Sequence, residues 1–414
     1  MRWFALLLGA VSVPFVTGCK DSDDGKTKLL VADAATGEAS RAAWARAIAL
    51  FNEKHPDVDI ERRIYKDDDY TAYALPTMMR SDHPPDIYFE WAGYAVRRDA
   101  REGVAADLTD VLTGPWAAGF DPRSFGGTTS DGRRLMIPDS IDLSNAIWYR
   151  KSILARHGIE PPTTWSGFVA ACRTLVAAGE PAIVHGNRAG WPAGNWGAHL
   201  VERYAGHDVY RQVGELGSST KLNHPGFVRG LGLLEALAAD GAFNRDINTI
   251  DDAEAVARFN AKRGAFHFNG LWVLQDLADH EDIGLIGILQ LPDVPETPYS
   301  VLVTPSGFMI HGKTSHLDLA VELMKIYTSA EVQREAVLRN TLSAIPEAMA
   351  AVDRPALLEQ AVKLVFEADH FVAAPDISWH PKIADRFYGA VKSVVEGKAT
   401  AKDALDAATR ERSS

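Results

Sequence analysis

Two cysteines and thirteen histidines are the side chains best suited to covalent or metal chemistry in these 414 residues, and their spacing supports little of it. No G-x-S-x-G elbow, H-E-x-x-H pair, C-x-x-C pair or G-x-G-x-x-G turn occurs. His311 and His316 stand five apart around Lys313, a poor metal spacing, and the other histidines are scattered. The run Asp21-Ser22-Asp23-Asp24-Gly25 has the start of a calcium loop but no Glu at the twelfth position. Cys172 falls on the apolar stripe of Phe168 to Val176 and reads as a buried structural thiol. Neither a catalytic group, a metal nor a cofactor is expected.

Cys19 is different. Arg2 precedes an apolar run from Trp3 to Val16, and Val16-Thr17-Gly18 places small residues directly before Cys19. That order resembles a bacterial lipobox, in which the signal peptide 1–18 is removed and the Cys19 thiol becomes a lipid thioether. The apolar run is shorter than the ~20 residues that span a bilayer. The expectation is an exported chain, lipid-anchored to the membrane through Cys19, with 19–27 as a polar tether.

The formal net charge is −12, and removing residues 1–18, whose one charged side chain is Arg2, takes it to −13. A nucleic-acid partner, which needs a basic surface, is not expected. With Cys19 lipidated, Cys172 is left unpaired, so packing rather than disulfides must hold the body together.

The elements that must position any site alternate between strand and helix. Lys28 to Val31 reads as a strand. Trp44, Ala47, Ile48 and Phe51 share one helix face, and Val58, Ile60 and Ile64 alternate as a strand. Tyr70 to Arg80 reads as a helix with Pro76 inside it, and Asp86 to Phe89 as a third strand. This β-α-β-α-β order implies parallel pairing. Downstream, Trp165 to Ala178 reads as a helix capped by Thr164, Pro181 to His185 as a buried strand, and 186–197 as a Gly-rich loop. Strands are expected at Gly264–Phe268, Leu285–Leu289, Ser300–Val303 and Gly307–His311, with a helix at Gly270–Asp279. The remainder reads as helical at 316–328, 330–339, 355–367, 380–395 and 401–411.

Several stretches together resemble the extracellular solute-binding proteins of family 1, the sugar-binding components of bacterial ABC importers. Phe51-Asn52-Glu53-Lys54-His55-Pro56 and Pro85-Asp86-Ile87-Tyr88-Phe89 are similar to the family's first helix end and third strand. Trp148-Tyr149-Arg150-Lys151 followed by Gly158-Ile159-Glu160-Pro161-Pro162-Thr163-Thr164-Trp165 is the most diagnostic match. Asn269-Gly270-Leu271-Trp272 and the segment Ser329-Ala330-Glu331-Val332-Gln333 also fit. Arg150 stands where the family carries Asn, and Phe266 where it carries Met. The resemblance implies an α/β, two-lobed periplasmic-binding-protein-like fold with three interlobe crossings. Lobe 1 would be 28–140 plus 303–345 and lobe 2 141–302 plus 346–414.

It also implies a mono- or oligosaccharide ligand, ABC permease subunits as partners and a monomeric receptor. A sugar ring has apolar C–H faces and a rim of hydroxyls, so its site needs flat aromatics and hydrogen-bonding side chains. The candidates are Glu90 and Trp91 after the third strand, and Trp191, Asn195 and Trp196 in the Gly-rich loop. Asn269 and Trp272 straddle a strand-to-helix turn, and Trp272 matches the family's ligand-stacking Trp. Trp379, Thr36, Glu38, Ser306 and the adjacent Gly307 complete the set with Asp139 and Asp142, which face either the ligand or the hinge backbone. Trp44, Trp116, Trp148 and Trp165 read as packing residues. Three alternatives stay open: a receptor that serves a sensor, a non-sugar solute such as a polyol phosphate with Arg188 as its cation, and, least favoured, a glycosidase using Asp139, Asp142 or Glu90.

Overall fold

A computed structural model of the chain describes residues 26–34, 37–66, 69–287, 289–295, 300–339 and 341–410. Strands β1 (Thr27–Asp33), β2 (Val58–Ile64) and β3 (Ile87–Trp91) form the expected parallel unit, with β1 between the other two. The helix Glu38–Lys54 connects β1 to β2 and buries Ala43, Trp44, Ala47 and Phe51 on one face. The Trp44 ring meets Tyr327 at 4.5 Å and Phe308 at 5.2 Å. The Tyr70 to Arg80 stretch is a π-helical turn, Tyr70–Ala74, that passes into the helix Leu75–Met79. Pro76, which has no N–H to donate, lies where the π-helical turn passes into that helix.

After the short hairpin β4 (Thr129–Ser130) and β5 (Arg133–Arg134) comes β6 (Met136–Leu143). It lies antiparallel to a strand far along the chain, and only two residues, Ser144 and Asn145, separate it from β7 (Ala146–Arg150) of a second sheet. There β7 is flanked by β8 (Phe266–Asn269) and β9 (Ile283–Ile286), both antiparallel. β10 is one unbroken strand, Ser300–Ile310, where the sequence suggested two. Its first four residues pair in parallel with β11 (His370–Ala373), and its remainder pairs with β3 and β6. Pro305 does not interrupt it, although a proline cannot donate to the ladder.

Other expectations shift for local reasons. Pro181–His185 contributes only isolated bridges from Ile183 to Phe243 and Phe266. The supposed 186–197 loop ends at Gly190, whose φ of +94° turns the chain into the helix Trp191–Ala205 with Pro192 in its first turn. The 270–279 stretch keeps only a 3₁₀ turn, Leu271–Gln275. Thr164 caps the helix Trp165–Ala177 as expected, accepting from Gly167 N at 3.1 Å.

Two apolar cores follow from this layout. One gathers β1, β3, β6, the later part of β10 and the helices Glu38–Lys54, Leu317–Tyr327 and Ala330–Val337. The other packs β8 against the helices Trp165–Ala177, Trp191–Ala205, Pro225–Ala239, Pro381–Val395 and Ala401–Arg410. The helix Ala356–Phe366 buries Leu358, Ala361 and Val365 in the first core and also touches β9. Among the described residues no helix is long and apolar enough to cross a membrane.

Candidate ligand site

β3 ends in Glu90-Trp91, and alternation along a strand sends these side chains to opposite faces. Glu90 is 4% exposed and faces the helix Tyr94–Glu102, where Arg98 Nη2 donates to its carboxylate at 3.0 Å. Arg98 Nε also donates to Asp99 at 2.7 Å. Burial pushes the Glu90 carboxyl up to about 7, Arg98 opposes that shift, and Asp99 adds to it. Trp91 is half-buried on the other face, edge-on to Phe89 at 4.9 Å, and pairs across the sheet with Ser306.

A second set comes from the β7–β9 side. Trp191 opens its helix, and its ring meets that of Trp272 at 5.8 Å with an interplanar angle of 62°. Both rings are half-buried. A Cβ on Gly270 would lie 2.2 Å from the Trp272 ring, so this glycine lets the indole fold back over its own backbone. One helical turn after Trp191, Asn195 Oδ1 accepts from the Tyr388 hydroxyl at 3.1 Å. The same hydroxyl accepts from the backbone N–H of Asp376 at 3.1 Å. Asp376 is solvent-exposed.

The two sets face each other through close approaches. A Cβ on Gly37, just before the Glu38–Lys54 helix, would stand 3.3 Å from Gln275 Nε2 in the turn that carries Trp272. Gly93, two residues after Trp91 and at φ +130°, would put a Cβ 2.8 Å from the carbonyl of Ile377. Arg97 Nη2 donates to Ser378 O at 2.8 Å. The turns after β1 and β3 thus meet the Leu271–Gln275 turn and the short helix Pro375–Ser378. This is the carboxyl edge of the parallel strands, where α/β folds hold ligands.

The crossing residues are engaged differently. Asp139 accepts from Gln333 Nε2 at 3.3 Å and from the Tyr327 hydroxyl, and its backbone carbonyl accepts from Ala344 N. Asp142 accepts a backbone N–H from Leu342. Burial pushes both carboxyls up to about 7, with Asp33 adding at Asp139. Ser140 Oγ and Ser306 Oγ lie 2.9 Å apart, joining β6 to β10. These contacts tie both aspartates to neighbouring parts of the chain, Asp139 through the side chains of Tyr327 and Gln333 and Asp142 through the backbone of Leu342.

Four candidates lie away from the paired tryptophans or inside the packing. Trp196 is 4% exposed and stacks on Phe268 at 4.2 Å. Trp379 is 1% exposed among Tyr210, Phe227 and Phe387. Asn269 is 4% exposed, with Nδ2 donating to Asp252 at 2.7 Å and Oδ1 accepting from Gly270 N at 2.8 Å. Glu38 is well exposed, 3.7 Å from Arg339. Thr36 and Cys19 lie outside the described residues. Gln275 and Asp376 carry no motif of their own. Their signal is adjacency: each lies three residues from a tryptophan that the sequence does single out, Trp272 and Trp379.

Gly307 to Thr314 fits the G-x-x-x-x-G-K-T spacing of a phosphate-cradling loop. The structure gives those residues another role. Gly307–Ile310 is strand, pairing with β3 and β6, Thr314 Oγ1 donates to Asp86, and the next helix starts only at Leu317. No helix N-terminus follows the glycines to receive a phosphate.

Half-buried indoles and an exposed carboxyl, with the buried Asn195–Tyr388 pair behind them, make a surface suited to a polar solute. The chain belongs to the bacterial extracellular solute-binding proteins, whose family model matches residues 34–334. It is 28% identical over 297 residues to the uncharacterized ABC transporter extracellular-binding protein PH1039 of Pyrococcus horikoshii, covering 70% of this chain and 66% of that one. It is 21% identical over 303 residues to the melibiose/raffinose/stachyose-binding protein MelE of Bacillus subtilis, covering 70% and 68%. Its fold superimposes on a solved chitin oligosaccharide binding protein with a TM-score of 0.82 at 18% identity, over 93% of this chain and 98% of the other. The resemblance read from Trp148 to Trp165 and from Asn269 to Trp272 therefore holds at the level of family and fold.

Proposed function

We propose that this protein captures a mono- or oligosaccharide between two lobes and delivers it to an ABC importer. The observation that carries this reading is the Trp191–Trp272 pair at 5.8 Å, half-exposed and one turn from the Asn195–Tyr388–Asp376 chain. Indole faces suit the C–H faces of a sugar, and the exposed Asp376 carboxyl suits its rim, with the buried Asn195–Tyr388 pair supporting it from behind. Trp91 supplies an aromatic from the opposite side. The sugar specificity named for MelE and the transporter role named for PH1039 support the same reading. Arg188, the cation a polyol phosphate would use, already pairs with Asp251 at 2.6 Å, which disfavours that alternative.

In this proposal the lobes are 28–140 plus 303–345 and 141–302 plus 346–414, and the 356–366 helix of the second buries its apolar residues in the first core. A solute touching both lobes stabilises the closed form by its differential contacts. The chain works as a monomeric binder rather than an enzyme, exported and held to the membrane through a lipid on Cys19, with 19–27 as slack.

Two experiments test this. Calorimetry against a panel of mono- and oligosaccharides is expected to find at least one saturable ligand, and no heat with any sugar would overturn the carbohydrate assignment. Cys19→Ser is expected to move the protein from the membrane to the soluble fraction. Unchanged membrane retention would refute the lipid anchor without touching the sugar reading.

A further inference from the structure

Sequence spacing offered no metal motif, yet the fold brings three ligand-type side chains together. Glu202 on the Trp191–Ala205 helix, His207 at the start of the helix His207–Val213, and His370 at the start of β11 each point one donor atom into a space where all lie within 4.8 Å. We propose that these residues form a binding site for a divalent transition ion of the zinc class.

The donor set fits. Two imidazoles and one carboxylate suit zinc and its neighbours, with a fourth position left for water. The distances fit as well. His370 Nε2 stands 3.4 Å from Glu202 Oε1. That is long for a charge-assisted hydrogen bond, which runs at about 2.7–2.9 Å. It matches the separation of about 3.4 Å between two ligand atoms each held about 2.0–2.1 Å from a tetrahedral ion. The His207 and His370 rings meet at 5.4 Å and 75°, so a modest turn of the exposed His207 brings its nitrogen to the same point.

The surroundings support the carboxylate. Glu202 is 4% exposed, and Ser300 Oγ donates to its Oε2. That bond orients the carboxylate and leaves Oε1 for the ion, as outer-shell partners of metal ligands do. Arg203 lies close enough to interact with Glu202 and Asp369, but one of its amino groups donates to Pro295 O. His207 at the rim gives the ion a way in from solvent.

The site has a mechanical setting. Ser300 is the first residue of β10 and pairs with His370 in register. An ion held by Glu202 and His370 would pin the Trp191–Ala205 helix, which carries Trp191 and Asn195, to the point where the chain enters its long crossing strand. Metal binding would then stabilise that end of the hinge.

The test uses the full chain without an affinity tag, stripped of metal with a chelator. Zinc titration by calorimetry is expected to show one saturable site, and cobalt to give the visible bands of a tetrahedral ion. His207→Ala and His370→Ala are each expected to weaken binding about tenfold or more. His207→Ala should leave the melting temperature in chelator unchanged, because its side chain is exposed. If His370→Ala fails to fold, His207→Ala carries the test alone. Absence of saturable binding, or zinc affinity unaltered in His207→Ala, overturns the proposal.

Discussion

The indoles of Trp191 and Trp272 meet edge to face at 5.8 Å, although one opens a helix and the other sits in a 3₁₀ turn after β8. Neither ring is buried enough to be a main support of the core. Trp272→Ala, Trp191→Ala and Trp91→Ala are therefore each expected to weaken sugar binding about tenfold, a loss of about 1.4 kcal/mol. The ligand-free melting temperature should move little. Calorimetry with unchanged affinity in all three variants would remove these rings from the site.

Trp379 makes the opposite prediction. It is 1% exposed, and a Cβ on the facing Gly214 would lie 2.1 Å from its ring. Trp379→Ala leaves a large cavity among Tyr210, Phe227 and Phe387, with an expected cost of about 3–5 kcal/mol. Urea unfolding measures it. Sugar affinity of the folded fraction should stay near that of the parent, and a stability loss under about 1 kcal/mol would contradict core packing.

The contrast between these tryptophans shows what the sequence made legible. Periodicity located the β1–β3 unit and its helices, because an amphipathic face writes its own spacing. Trp191 and Trp379 look alike in sequence, each shortly ahead of a proline in the first turn of a helix, and only tertiary packing separates a half-exposed ring from an enclosed one. β6 and β7 escape a reading by periodicity because both are almost wholly buried, which erases the alternation that marks a strand. The ligand edge itself rests on close approaches such as Gly37–Gln275 and Gly93–Ile377. These join segments hundreds of residues apart, and no local pattern encodes them.

Arg150, the departure from the family's Asn, has a structural account. It is wholly buried, with Nε and Nη2 donating to Phe259 O at 3.2 and 3.0 Å and Nη1 to Ala278 O at 3.2 Å. Its guanidinium lies 4.6 Å from the Phe259 ring centroid and 3.7 Å from Asp282. The charge thus closes the carbonyl end of the Asp252–Asn260 helix, where a cation is favoured. Arg150→Ala would orphan those carbonyls and open a cavity, for an expected loss of about 3–5 kcal/mol in chemical denaturation. Arg150→Lys should recover only part of it, since an ammonium cannot reproduce the planar fork. Full recovery by lysine would show that charge alone matters there.

Asp142 gives the crossing a pH signature. Burial raises its folded-state carboxyl to about 7, against an unfolded value of about 3.9. Between those values the folded chain holds the extra proton, so this group's contribution is complete below pH ~4 and is lost as pH rises through 7. Asp139 and Glu90 act in the same direction. The buried His185, His199 and His267, whose values are lowered to about 3, 3 and 4, act oppositely, removing stability as pH falls below the ordinary imidazole range of about 6.5. All of these are shared by the parent and a single Asp142 variant, so they cancel in the comparison. Asp142→Asn keeps an oxygen for the Leu342 N–H and removes the charge. It is expected to melt above the parent at pH 8 and to converge with it near pH 4. Melting curves whose difference is constant across that interval would mean that Asp142 ionises in the folded chain as freely as in the unfolded one.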